Sequence, residues 1–112
     1  MDIRFEQLAS GVTVIVLKGR MDVLGAIKID VQFAAVTAAN RAVVVDLGGV
    51  EFLASMGLRT LIMGAKPIHT KKGRMALWRP QPMVEEVLVI SGTTTLIPVA
   101  HDKVEAQRLA LG

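Results

Sequence analysis

The apolar positions of this chain fall into short blocks whose spacing changes from one block to the next. Ile3 and Phe5 alternate with charged residues up to Leu8, the period-two pattern of a short edge strand. A Ser10-Gly11 turn follows. Val12-Thr13-Val14-Ile15-Val16-Leu17 is then β-branched and nearly continuous, as in a buried strand. So tight a connection predicts a hairpin. From Leu24 the spacing turns helical: Leu24, Ile27, Val31, Ala34, Ala35 and Ala38 mark the apolar stripe, and Asn40 stops it. Ala42-Val43-Val44-Val45-Asp46-Leu47 is the strongest buried-strand signal and predicts the sheet centre. Gly48 to Ala54 reads as a loop before a second helix, striped by Leu58, Leu61, Ile62, Ala65 and Ile68. Pro67 predicts a kink or an early end there, near Lys66. Arg74–Trp78 reads as a fourth strand, and Pro82 opens a third helix that ends near Ser91-Gly92. Leu96-Ile97-Pro98-Val99 reads as a short edge strand limited by its proline. Asp102 and Glu105 resemble a capping box opening a terminal helix. The order β-β-α-β-α-β-α-β-α predicts an α/β fold with a mixed sheet covered by helices.

Composition narrows the class. The 112 residues suit one domain over 1–112, and a hydrophobic content of 52% excludes disorder as the default. Aromatic residues make up only 4%, so aliphatic side chains must fill the core. No apolar run approaches the roughly 18 residues of a membrane span. Met1 to Glu6 carries acids and no apolar segment of the signal-peptide kind, so a cytoplasmic location is expected. The absence of cysteine fits a reducing compartment. A net charge of +3 is mild, and no basic face of the nucleic-acid-binding kind stands out. Lys66, His69, Lys71, Lys72 and Arg74 form one basic cluster, favoured as a solvated helix end over a site for anionic lipid or nucleic acid. Trp78 reads as core or half-buried wall. No P-loop, dinucleotide fingerprint or Gly-x-Ser-x-Gly elbow occurs, and His69 and His101 lack metal-ligating neighbours. Neither a cofactor, a metal nor an enzymatic activity is therefore expected.

The segment from Val43 to Lys66 carries the most information. It reads as a buried strand, a short loop and a helix whose first turn starts near Met56, with Ser55 at the N-cap. A serine there accepts a hydrogen bond from a free backbone N–H and lies at the positive end of the helix dipole. Two readings stand side by side: a simple cap, or a hydroxyl where a phosphate would be received by free N–H groups. A phosphate adds roughly −1.5 to −2 charges, enough to repel a docked partner. Arg59 lies on the same helix face as Ser55, as a neighbour for an anion or a solvated cation. Met56 reads equally as packing or as a soft apolar contact. Asp22 reads as the N-cap aspartate of the helix that starts before Leu24.

The same segment resembles the signature of the STAS family, whose founding members are bacterial anti-sigma factor antagonists. Asp46-Leu47 is similar to the family's strand end, and Leu53-Ala54-Ser55-Met56-Gly57-Leu58 to the loop that follows it. Leu17-Lys18-Gly19-Arg20-Met21-Asp22 resembles the second strand and its Gly-x-x-Asp loop. The resemblance implies a STAS-like domain that binds an anti-sigma factor, often itself a serine kinase. It implies that phosphorylation at Ser55 blocks that binding and that a phosphatase restores it. It places partner contacts at Asp22, Ala54, Ser55, Met56, Gly57 and Arg59. Two positions depart from the family pattern: Ala54 replaces an acid, and Met56 replaces a second serine. They leave open an alternative, a constitutive STAS scaffold or accessory subunit of a signalling or transport complex without phosphate control.

Overall fold

The computed structural model describes residues 1–112. Five strands form one sheet in the order β1-β2-β3-β4-β5. They are β1 (Asp2–Gln7), β2 (Thr13–Met21), β3 (Ala42–Leu53), β4 (Arg74–Trp78) and β5 (Val99–Ala100). β1 and β2 make the expected antiparallel hairpin, with Ile3 opposite Leu17 and Phe5 opposite Ile15. The later pairings are all parallel, so each crossover carries a helix. Helices α1 (Val23–Ala39), α2 (Ser55–Thr70) and α3 (Pro82–Ile90), with the single turn α4 (Thr93–Leu96), cover one face. Helix α5 (Lys103–Leu111) covers the other.

The larger core lies under α1, α2 and α3. Val43, Val45 and Leu47 of β3 meet Phe33, Leu61, Ile68 and Leu88 there. The opposite face is thinner: Val14, Val44 and Ala76 pack against Ala106 and Ala110, small residues that seat α5 close to the sheet. Each large side chain removed from water contributes about 1.5–3 kcal/mol, so the first face carries most of the stability.

Four local features differ from the sequence reading. The stretch after Leu47 is strand rather than loop: β3 runs on to Leu53 beside the end of β2, with Val50 and Leu53 buried and Glu51 and Phe52 exposed. Gly48-Gly49 masked it, since glycine is depleted in strands. Helix α1 turns a different stripe inward: Gly25, Ala26, Ile29, Phe33 and Thr37 are buried, while Leu24, Ile27, Val31, Ala34, Ala35 and Ala38 face outward. Helix α2 passes Pro67 and ends at Thr70. Pro67 stands in the last turn, so it forfeits only the bond to the carbonyl of half-exposed Met63, and Lys71 N–H then closes the helix on the Pro67 carbonyl at 3.2 Å. Finally, Thr93–Leu96 forms a helical turn, which shifts the last strand to Val99–Ala100.

Candidate functional site

The ends of β2 and β3 deliver Ser55 to the surface. Met21 and Leu53 are paired across the two strands, and Ala54 N–H donates to the Met21 carbonyl at 3.0 Å. Ala54 has extended backbone, φ −99° and ψ 175°, and its carbonyl accepts the first helical bond from Leu58 N–H at 3.1 Å. Ala54 is therefore the N-cap, and Ser55 is the first helical residue, one place further in than its hydroxyl suggested. An alanine cap supplies no oxygen, and the first turn holds no acid. The leading N–H groups of α2 are left for solvent or an anion. Ser55 itself is exposed, and its hydroxyl takes no hydrogen bond within the protein.

Asp22 lies across this junction as the N-cap of α1. Its Oδ1 accepts from Gly25 N–H at 2.8 Å, and its Oδ2 lies 3.8 Å from Arg20 Nε. The Arg20 guanidinium stacks 4.4 Å from the centre of the Phe52 ring, itself 40% exposed. Asp22 thus has a structural duty, and it stands with Arg20 and Phe52 on the shoulder beside the Ser55 turn.

The remaining sequence-selected residues separate into two kinds. Met56 is partly buried and Arg59 exposed; both line a groove of about 860 Å³ between α1 and α2. Arg59 pairs with no acid within 4.0 Å. Gly57 is buried against the strand ends. A Cβ there would stand 2.6 Å from Leu53 Cδ1 and 2.9 Å from the Met21 carbonyl oxygen, so glycine is what lets α2 seat against the strand ends. Phe52 and the groove escaped the sequence reading. Phe52 follows two glycines that hide the strand, and the groove is bordered by the α1 stripe that periodicity assigns to the core.

Two other groups prove to be anchors. Asp46 of the Asp-Leu strand end is buried, accepts two hydrogen bonds from Arg79 at 2.9 Å each, and accepts one from Gly48 N–H at 2.9 Å. Burial pushes its carboxyl pKa up, but these bonds and the charges of Arg79 and Arg4 outweigh burial and hold it below the usual carboxylate range. In the basic cluster, Lys71 Nζ donates to the Thr37 and Ala38 carbonyls at 3.0 and 2.7 Å, capping the C-terminus of α1. This cluster sits at the opposite end of α2 from Ser55. Trp78 is a half-buried wall against the α5 face. No helix is long and apolar enough to cross a membrane.

Comparison with known proteins gives this geometry a family. The model of the STAS domain matches residues 7–106. BtrV of Bordetella bronchiseptica, assigned as an anti-sigma factor antagonist, is 33% identical over 94 residues, which cover 83% of this chain and 81% of BtrV. Among solved structures, an anti-sigma factor antagonist STAS domain protein from Planctomyces limnophilus superposes with a TM-score of 0.84 at 29% identity, covering 95% of this chain and 94% of that one. SpoIIAA, a Bacillus cell fate determinant solved in its phosphorylated form, shares the fold with a TM-score of 0.71 at 19% identity, covering 96% of this chain and 98% of its own. The fold, the motif and these relatives agree: the chain belongs to the STAS domain family.

Proposed function

We propose that this chain, acting over its full 1–112 span as one regulatory domain, is an anti-sigma factor antagonist. It docks an anti-sigma factor or serine kinase on the surface around Ser55, binding its partner rather than catalysing a reaction. Phosphorylation of Ser55 ends the docking, and a phosphatase restores it. The observation that carries this reading is the exposed, unbonded Ser55 hydroxyl at the first residue of α2. A phosphate on it meets free N–H groups and no acid in the first turn, so the helix tolerates the charge while an apposed protein surface does not. The assigned role of BtrV and the existence of SpoIIAA in a phosphorylated form support the same reading.

The test is calorimetric titration of the native partner kinase or anti-sigma factor with three proteins. Wild type and Ser55→Ala are expected to bind alike, and Ser55→Asp at least about tenfold more weakly, a loss of about 1.4 kcal/mol. Equal affinity for Ser55→Asp would sink the switch. Retained binding together with a serine that the kinase never modifies would favour a constitutive scaffold, the reading to which Ala54 and Met56 lend weight.

A further inference from the structure

The exposed apolar stripe of α1 and the groove it borders have no occupant within the chain. Ile27 is 60% and Met63 50% exposed, on opposite walls of the groove. Asp30 on α1 and Arg59 on α2 also line it, and neither has an ion-pair partner within 4.0 Å. Both helices connect parallel strands on one face, so they run in the same direction. Their relative level is fixed by Gly64, whose Cβ position falls against Phe33 and, at 3.2 Å, Thr37 Cγ2. That contact places Asp30 level with Arg59.

Around this level the two walls are antisymmetric. One turn toward the N-termini, α1 presents Ile27 and α2 presents Met56. One turn toward the C-termini, α1 presents Ala34 and α2 presents Met63. A half-turn about an axis through the groove, midway between Asp30 and Arg59, exchanges the helices. It lays α1 of one molecule antiparallel on α2 of another. Asp30 then meets Arg59, Ile27 meets Met63, and Ala34 leaves room for Met56, each contact occurring twice. An isologous interface demands this pattern, in which residue i contacts j and j contacts i.

We infer that this face takes a second copy of the chain. A helix pair of this length offers a footprint of roughly 25 by 20 Å. That is on the order of 500 Å² per molecule, below the ~800 Å² of a standard interface, so the dimer is weak and forms at micromolar concentrations.

The test is sedimentation velocity from about 1 to 500 µM, with circular dichroism to verify folding of each variant. Wild type is expected to move from one to two chains per particle across this range. Asp30→Arg and Arg59→Asp each place like charges at both contacts and are expected to weaken association about tenfold or more. An equimolar mixture of the two single variants restores opposite charges at both contacts, as does the double variant, and both are expected to regain association. A wild type that stays monomeric throughout overturns the inference. So does a dimer indifferent to the single reversals, which would lie on another face, or a mixture that fails to associate.

Discussion

A methyl group at position 57 would face two neighbours of different stiffness. The Leu53 side chain can rotate away, but the Met21 carbonyl, 2.9 Å off and already accepting from Ala54 N–H, cannot. Gly57→Ala is therefore expected to cost about 1–3 kcal/mol by overpacking and to tilt the start of α2 outward. Urea denaturation followed by circular dichroism measures the cost. An unchanged midpoint would show that the helix start is looser than its packing indicates. The same neighbourhood explains what single residues disclosed in advance. Asp22 was readable as a cap because a carboxylate three residues before a helical N–H has few other uses. Ser55 offers the nearest hydroxyl and so suggests the cap, whereas the backbone puts the cap at Ala54, pinned by Met21. Gly57 stands out in the sequence only through the family motif, as a partner contact; its close approach to Met21 leaves no trace in local spacing.

Among the elements, α1 is the instructive one, because it carries two apolar stripes at helical spacing. Leu24, Ile27 and Val31 mark one; Ala26, Ile29 and Phe33 mark the other. Periodicity could not choose between them. Tertiary fit did: Phe33 fills the space that Gly64 leaves open on α2, and Ile29 joins the same core. Phe33→Ala is accordingly expected to cost about 3–5 kcal/mol, a cavity in the larger core. Val31→Ser, at a position 80% exposed, should stay within about 0.5 kcal/mol of wild type. Chemical denaturation of the two variants checks the assignment, and a reversed order of cost would mean that the helix is rotated. Strands followed a similar rule. The central part of β3 was legible because Val43 to Leu47 are buried and, Asp46 apart, β-branched or aliphatic. Its extension to Leu53 was hidden by two glycines and is held by pairing with β2, a partner 30 or so residues away in sequence.

At the scale of the whole molecule, the Asp46–Arg79 pair ties the centre of the sheet to the segment after β4, and it sets how the fold responds to acid. Asp46 sits in a row that crosses all five strands, from Arg4 through Val16 and Asp46 to Trp78 and Ala100. Its carboxylate is buried, whereas the Arg79 side chain is 55% exposed and stacks 4.2 Å from the Trp78 ring centre. An acid whose pKa is lower folded than unfolded adds stability above its unfolded value, about 3.9, and that contribution drains away as pH falls through the depressed native value. Arg79→Ala would leave the buried carboxylate with the Gly48 N–H as its remaining hydrogen-bond donor. The expected cost at pH 7 is about 2 kcal/mol, reduced from that of a fully enclosed pair because solvent reaches the guanidinium. In the variant, burial without the arginine raises the Asp46 pKa, so its penalty is relieved as the carboxyl takes up a proton. The stability gap between wild type and Arg79→Ala should therefore be widest near pH 7 and narrow as pH falls into and below the ordinary carboxylate range, about 3.9. Urea midpoints measured across that range decide the matter. A gap that does not change with pH would assign the role of Arg79 to its stacking on Trp78 rather than to its charge.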